Sequence, residues 1–194
     1  MAAATRAEQR LRTRERILGA AFVELRTSGL AGTEVSAIAA AAGVANGTFY
    51  FHFPTKEHVL VELEQREESR MAGELARFLD SPHDLAEGLH EVVRLVADLR
   101  ARVGALLFKE LLAAHFSPTR PSFDAWTDHP VIVLLVRELE RARSEGTLHP
   151  EVDAFYSASF FLLGVYGVFT ESDDGRDRLR KLVAATVRGL ETRC

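Results

Sequence analysis

A short segment near the first quarter of the chain carries side chains that could recognise another molecule. Asn46, Gly47, Thr48, Tyr50 and His52 offer an amide, an open backbone, a hydroxyl and two hydrogen-bonding rings. Small donors and acceptors beside an unobstructed backbone suit the base edges and phosphates of a DNA groove. An ordinary three-helix packing unit would explain the same pattern without DNA, so both interpretations stay open at this point.

Sequence signatures of enzymes are missing. The chain contains no Walker loop, no HExxH zinc motif, no nucleophile elbow and no dinucleotide fingerprint. The only cysteine, Cys194, is the last residue and has no neighbouring base to activate it. We therefore expect no catalytic residue and no cofactor. A lone thiol also fits a reducing compartment such as the cytoplasm.

A possible metal site can be drawn on one predicted helix. His83, Glu87 and His90 are spaced so that all three could face one ion on the same side of a helix. Leu85 and Leu89 begin an apolar stripe on the opposite side. An amphipathic helix with a solvated polar face explains this pattern better, so we expect no metal site.

Apolar residues recur at spacings of three and four along the whole sequence, which predicts an all-α fold. Four helices are expected in the N-terminal part, over residues 12–27, 33–42, 45–52 and 55–79. Thr33 and Thr55 are the expected N-caps of two of them. Gly43 has the permissive backbone that a tight turn between the second and third helices needs. Those two helices therefore form a helix-turn-helix candidate.

The remaining helices are generally longer. Five more are expected, over residues 81–102, 105–116, 128–146, 150–171 and 176–193. We place an N-terminal three-helix domain over residues 1–56 and a six-helix domain over residues 57–194, joined by the fourth helix from residue 55. The uncharged run at 154–170 has 17 residues, fewer than the roughly 20 of a membrane span, so a buried helix is favoured and no membrane partner is expected.

Charge is unevenly distributed along the 194 residues. The chain has 24 basic and 28 acidic side chains, a net charge of −4. Residues 1–66 nevertheless hold 8 basic and 7 acidic groups, and the first sixteen residues hold five arginines and two glutamates. This pattern favours a polyanionic partner at the N-terminal end only.

The sequence around the helix-turn-helix candidate closely resembles the N-terminal domain of the TetR family of bacterial repressors. The resemblance covers about residues 12–60 without a gap. It is carried by Arg14-x-x-Ile17-Leu18-x-Ala20-Ala21, Gly29, Thr33-x-Val35, Ile38-Ala39, Ala42-Gly43-Val44, Gly47-Thr48-Phe49-Tyr50-x-His52-Phe53 and Lys56-Glu57. It implies a dimeric, all-helical repressor whose C-terminal six-helix domain binds an effector and dimerises. The operator would be double-stranded and near-palindromic.

The resemblance also implies roles on DNA. Asn46 and the Gly47 backbone would touch base edges. Phosphates would be held by Thr33, Thr48, Tyr50, His52 and Lys56. Arg14 and the earlier arginines Arg6, Arg10 and Arg12 would reach a minor groove or the DNA backbone, with a disordered tail as the alternative for Arg6 and Arg10. Two departures from the family pattern are Ala45, which gives the third helix no side-chain cap, and Phe51, which either packs on the fourth helix or contacts a thymine methyl group.

An effector pocket would be lined mainly by apolar and aromatic side chains, so we expect a lipophilic or aromatic effector. The candidates are Phe108, Leu112, His115, Trp126 and Phe161. Aromatic residues at helical spacing are more often part of the core, and this alternative stays open, for His115 above all.

The helix after Pro150 is apolar all round, which packing of one face cannot explain. We therefore expect the last two helices to form a homodimer interface. The expected interface residues are Ser157, Gly164, Gly167, Leu179, Val183, Thr186 and Leu190. The other function classes that we weighed are a helical small-molecule-binding protein without DNA function and an enzyme built on a helical bundle.

Overall fold

A computed structural model of the chain describes residues 5–115, 129–171 and 175–191. Within these ranges it has eight helices, and the predicted all-α fold is confirmed. They are α1 (Arg6–Gly32), α2 (Val35–Ala41), α3 (Asn46–His52), α4 (Lys56–Leu79), α5 (Leu85–His115), α6 (Pro130–Ser144), α7 (Ala154–Glu171) and α8 (Arg176–Leu190).

The first helix begins six residues earlier than the sequence pattern predicted, at Arg6. Thr5 and Glu8 form a reciprocal cap: the Glu8 amide donates to Thr5 Oγ1 at 3.3 Å, and the Thr5 amide donates to Glu8 Oε2 at 2.7 Å. This pairing satisfies two amides at the start of the helix. The Thr-x-x-Glu spacing is visible in the sequence and could have located the helix start. Arg6 and Arg10 therefore lie in a helix, and not in a disordered tail.

The helix-turn-helix prediction is confirmed in the backbone. Gly43 has φ of 63° in the turn between α2 and α3, a value that residues with a side chain rarely adopt. Arg16 of α1 stabilises this turn, since its Nε donates to the Ala42 carbonyl at 3.1 Å and its Nη2 donates to the Gly43 carbonyl at 2.9 Å. Ile38 and Phe49, buried to 0% exposure, hold the two helices together.

One predicted helix cap and one predicted helix start are wrong. Glu34, and not Thr33, is the residue before α2, and it makes no side-chain capping bond. The Thr33 hydroxyl instead donates to the Gly29 carbonyl at 2.6 Å, at the end of α1. The predicted start at residue 81 is also too early. Asp84 caps α5, because its carboxylate accepts from the Glu87 amide at 2.8 Å.

The helices predicted over 81–102 and 105–116 are one element, α5, with a bend at Gly104, where φ is 81°. Two helices were predicted because glycine commonly ends a helix, but here the helix continues immediately after Gly104. For this reason the described part of the chain has eight helices where nine were predicted.

The chain folds into two compact units. The first holds residues 5–65 together with 103–115, and the second holds 66–102, 129–171 and 175–191. The first unit thus combines α1, α2 and α3 with the beginning of α4 and the end of α5. The domain boundary predicted between residues 56 and 57 falls in the first turn of α4 and stays a prediction.

In the second unit, α7 is long and apolar enough to cross a membrane by length and composition, and 28% of its residues are buried in the chain. Ala158, Phe161 and Val165 pack inward, while Tyr156 and Phe160 are 61% and 69% exposed. The prediction of a buried helix therefore holds for one face of α7 within a single chain and not for the other.

Candidate nucleic-acid interface

The third helix presents most of its polar residues to solvent. Asn46, Gly47 and Tyr50 are exposed and Thr48 is half-buried. They can be presented in this way because Phe49, in the middle of the same helix, is buried and fixes which side of α3 faces inward. Ala45 precedes the helix and makes no side-chain capping bond, as the sequence indicated.

Arg14 is engaged inside the first unit. Its guanidinium pairs with the Glu62 carboxylate, and its Nη1 donates to the His52 carbonyl at 2.7 Å. The same group lies over the Phe53 ring, 4.0 Å from the centroid. Arg14 therefore links α1 to the end of α3 and to α4. It holds the end of α3 in place instead of presenting a free guanidinium to a ligand.

His52 is 9% exposed, and its Nδ1 has no hydrogen-bond partner within the described residues. Burial lowers the pKa of its imidazole below the ordinary value, and the positive charges of Arg10 and Arg14 lower it further. The ring is therefore neutral near pH 7. A neutral, nearly buried imidazole does not supply the positive charge that would attract a phosphate.

The side chain of Lys56 meets the backbone of Thr33 beside the start of α4. Thr33 is 1% exposed, so its hydroxyl is not available at the surface. Lys56 is half-buried, and its Nζ donates to the Thr33 carbonyl at 2.9 Å. An ammonium group has three donors, so Lys56 can keep this bond and still donate to an anion.

The sequence pattern did not predict that α1 contributes to the exposed side of α3. The Arg10 guanidinium lies over the Phe51 ring, 5.1 Å from its centroid. Phe51 is 67% exposed, which excludes the expected alternative that it packs on the fourth helix. Because the Thr5 cap extends α1 by more than a turn, Arg10 is carried to the exposed side of α3.

The structure describes only some of the predicted effector residues. Phe108 and Phe161 are buried at 0% and 3% exposure and Leu112 is half-buried, as expected of core residues. Phe108 and Leu112 belong to the first unit and Phe161 to the second. Trp126 and the side chain of His115 lie outside the described residues. These assignments stay predictions.

The second unit has a cavity of about 460 Å³ that contains none of these candidates. Residues of α5 line one side of it and the first turns of α8 line the other. Its wall combines apolar groups such as Val93 and Phe169 with the guanidinium-bearing side chains Arg94, Arg100, Arg176 and Arg180.

The expected dimer residues fall into two groups. Leu179, Val183 and Leu190 are buried within one chain, whereas Ser157, Gly164, Gly167 and Thr186 are half-buried. A Cβ atom on Gly164 would lie 3.2 Å from Leu182 of the same chain, so enlarging this residue would disturb α8 within one protomer. The most exposed apolar groups of α7 are Tyr156 and Phe160, which stack with centroids 6.4 Å apart and which sequence reasoning did not select. The interface itself stays a prediction.

The His83, Glu87 and His90 set does not assemble as a helix face. His83 lies before α5 and its side chain is 4% exposed, with Nε2 3.2 Å from Glu138 Oε1. Burial raises the pKa of Glu138, but hydrogen bonds from Arg141 and His83 outweigh burial and lower it overall. The expectation of a solvated face is therefore wrong for His83. In the part of the chain that the structure describes, no three histidine, cysteine or acidic residues are placed to share a metal ion.

Comparisons with known proteins fit this geometry. Residues 17–63, which span most of α1, all of α2 and α3 and the first turns of α4, match the family of bacterial regulatory proteins of the tetR type. No curated protein matches the sequence.

Solved structures share the fold over most of the chain. A tetR-family transcription regulator from Shewanella sp. PV-4, described as putative, has 21% identity and a TM-score of 0.67, covering 93% of this chain and 99% of that one. The TetR family protein CprB from Streptomyces coelicolor has 24% identity and a TM-score of 0.63, with 93% and 90% covered. FadR from Bacillus subtilis, in complex with stearoyl-CoA, has 18% identity and a TM-score of 0.63, with 90% and 95% covered. Residues 17–63 therefore match the tetR family of bacterial regulatory proteins, and the chain as a whole shares its fold with solved structures of tetR-family proteins.

Proposed function

We propose that this protein is a ligand-responsive, DNA-binding transcriptional repressor that works by binding and not by catalysis, in the cytoplasm. The observation that carries the proposal is the exposed polar side of α3, where Asn46, Gly47 and Tyr50 face solvent while Phe49 is buried. A helix with a fixed inward face and an outward face of short hydrogen-bonding groups has the properties that the major groove requires.

On this proposal, contacts are divided between bases and phosphates. The Asn46 amide and the Gly47 backbone read base edges, and Thr48, Tyr50 and Lys56 hold phosphates. His52 does not hold a phosphate on this proposal. Its ring is neutral and nearly buried, so it supports α3 from behind while its carbonyl accepts the Arg14 hydrogen bond.

Sequence-specific binding needs two copies of α3. Two recognition helices entering successive major grooves must lie about 34–36 Å apart, on a near-palindromic operator. The exposed Tyr156 and Phe160 support a homodimer, because a stacked aromatic pair on an apolar helix is a surface that a second copy of α7 would cover.

The effector on this proposal is lipophilic or aromatic. The support is the apolar character of Phe108 and Phe161 and the stearoyl-CoA bound in the structurally similar FadR. The signal would reach the DNA-binding unit through the end of α5, which belongs to that unit. There, Glu110 Oε2 accepts from the Leu30 amide at 2.5 Å, next to the bend at Gly29 in α1. An effector that shifts this end of α5 would displace α1, with a coupling of about 1–3 kcal/mol.

The test is a gel shift and a footprint on the DNA upstream of the protein's own gene, followed by titration with candidate lipophilic ligands. We expect a protected near-palindromic site and release of the DNA by an effector. Ligand binding without any protected DNA would favour a helical small-molecule-binding protein and overturn the proposal. A protected site that no ligand releases would overturn the effector response alone.

A further inference from the structure

The largest apolar group on the outward side of α3 is Phe51. It is 67% exposed, although a benzyl side chain of this size is usually buried in a soluble protein. Its neighbours on the same surface, Asn46, Thr48 and Tyr50, all carry hydrogen-bonding groups. A partner at this surface must therefore combine a polar, hydrogen-bonding face with an apolar group that can contact the Phe51 ring.

The Phe51 ring is held in a defined position. The Arg10 guanidinium covers one face at 5.1 Å from the centroid, and the His52 ring meets it edge-on at 5.3 Å with an interplanar angle of 84°. These contacts limit the rotation of the ring, so less conformational freedom is lost when a partner binds. The rest of the ring faces solvent. Because Arg10 and Phe51 come from α1 and α3, the arrangement depends on the extended start of α1.

The major groove of DNA offers the combination that this surface requires. Each base pair presents hydrogen-bonding atoms there, and thymine adds a 5-methyl group, the apolar feature of the groove. The Arg10 charge beside the ring favours a polyanion, whereas it disfavours the apolar surface of a membrane core or a hydrophobic protein partner.

We propose that Phe51 is a specificity-determining residue that contacts the 5-methyl group of a thymine in each half-site, with Arg10 as its positioning residue. This inference rests on the proposed DNA-binding function and goes beyond it by naming the base feature that is read. The operator must then contain, in each half-site, a thymine whose methyl group contributes to affinity independently of its hydrogen-bonding atoms.

Deoxyuridine provides the decisive probe, because it differs from thymidine only by the missing 5-methyl group and pairs in the same way. An operator obtained by selection from a random duplex pool is rebuilt with deoxyuridine at one symmetric pair of thymine positions at a time. Dissociation constants are measured by fluorescence anisotropy for each duplex. For the unmodified protein we expect that deoxyuridine at one symmetric pair of positions weakens binding by about fourfold per half-site. This factor is the expected effect of losing the burial of one methyl-sized group.

Variants separate methyl contact from other effects. Phe51→Ala should bind the thymine operator more weakly and bind the thymine and deoxyuridine duplexes equally, whereas Phe51→Leu should retain part of the difference. Arg10→Ala should reduce the difference as well, since the ring is no longer held. Asn46→Ala is the matched control: it should weaken binding but keep the full deoxyuridine effect. Thermal unfolding of each variant checks that the exposed substitutions leave the fold intact.

The inference is overturned if no thymine position is sensitive to deoxyuridine, or if Phe51→Ala keeps the sensitivity of the unmodified protein. An Arg10→Ala variant with full sensitivity would overturn the positioning role. If no sequence is enriched from the pool and binding is equal on all duplexes, the proposed function itself fails. Selective binding that ignores the methyl group refutes only the role of Phe51.

Discussion

At the scale of single residues, His52 shows how burial changes what a side chain can do. A histidine in a polar segment is a natural candidate for a phosphate contact, since its ring can carry a positive charge. Here the ring is 9% exposed and lies near Arg10 and Arg14, and burial and these charges lower its pKa. The neutral form is favoured in the folded state, so the residue serves α3 by packing.

This environment predicts a pH dependence of stability. Above about pH 6.5 the ring is neutral in both the folded and the unfolded chain, and its contribution is complete. As the pH falls below that value, the unfolded chain takes up a proton that the folded state resists, so stability is lost, by at most about 1.4 kcal/mol per pH unit.

The prediction is checked by urea unfolding at about pH 7.5 and about pH 5.5 in the unmodified protein and in His52→Gln. The unmodified protein should lose more free energy of unfolding on acidification than the variant. An equal loss in both proteins would show that the His52 ring titrates alike in the folded and unfolded states.

Among single residues, the exposure of the polar side chains of α3 was predictable from the sequence, because it follows from the period of the helix. The sequence pattern selected Asn46, Gly47 and Tyr50, and all three face solvent. It could not foresee the internal role of Arg14, because its partner Glu62 lies 48 residues away in the chain. Contacts between distant residues leave no signal in a local pattern.

At the scale of secondary-structure elements, the positions of the helices were predictable and their ends and bends were not. The end of α1 shows why. Gly29 has φ of 68° and ψ of 176°, a conformation that interrupts the helix, yet Gly32 still belongs to the same element. The bend is stabilised from another element, because Glu110 of α5 accepts from the Leu30 amide. A pattern read along one segment does not contain such a partner.

Gly29→Ala should therefore destabilise the first unit. A Cβ atom would require a positive φ at an L-residue, costing about 1–2 kcal/mol. It would also lie 2.5 Å from Glu110 Oε1 and displace that carboxylate. Gly19→Ala is the matched control in the same helix, where a Cβ atom meets no atom within 4 Å.

Because alanine favours a helix interior over glycine, Gly19→Ala should stabilise the protein by about 0.5–1 kcal/mol. Chemical denaturation of both variants measures the two effects, which we expect to have opposite signs. Equal effects of the two substitutions would contradict the role that we give to the bend at Gly29.

At the scale of the whole molecule, the proposed binding to a near-palindromic operator requires a second copy of the chain. The exposed Phe160 on α7 gives a direct test. Phe160→Glu should place a charge in the interface and produce a monomer, because an unpaired charge buried between apolar helices is strongly unfavourable. Val133→Glu is the control, since Val133 is also exposed but lies on α6.

Sedimentation measures the outcome. The unmodified protein and Val133→Glu should have twice the 21.5 kDa mass of one chain, and Phe160→Glu should approach the mass of one chain. A monomeric unmodified protein, or a dimer that tolerates the charge at Phe160, would contradict a dimer built on this face of α7.

The effector response is the property of the whole molecule that is least predictable from the sequence. The all-α fold followed from one repeated spacing, and the helix-turn-helix from a short run of residues around Gly43. A pocket needs side chains from several helices at once, and the aromatic candidates Phe108 and Phe161 lie on two different helices, α5 and α7. The same aromatic residues are equally good core residues, so their type does not distinguish the two roles.

We infer that α3 reads DNA, and this claim is tested by the affinity ratio between operator and scrambled duplexes of equal length. The ratio is measured by anisotropy at several salt concentrations for the unmodified protein, Asn46→Ala and Lys56→Ala. We predict a ratio of about 10³ or more for the unmodified protein. Asn46→Ala should lower this ratio by a factor that corresponds to about 1–3 kcal/mol of discrimination. Lys56→Ala should leave this ratio unchanged. It should reduce the slope of the logarithm of the binding constant against the logarithm of the salt concentration by about 2 per dimer. A ratio near one for the unmodified protein, or one that Asn46→Ala does not change, would contradict the claim.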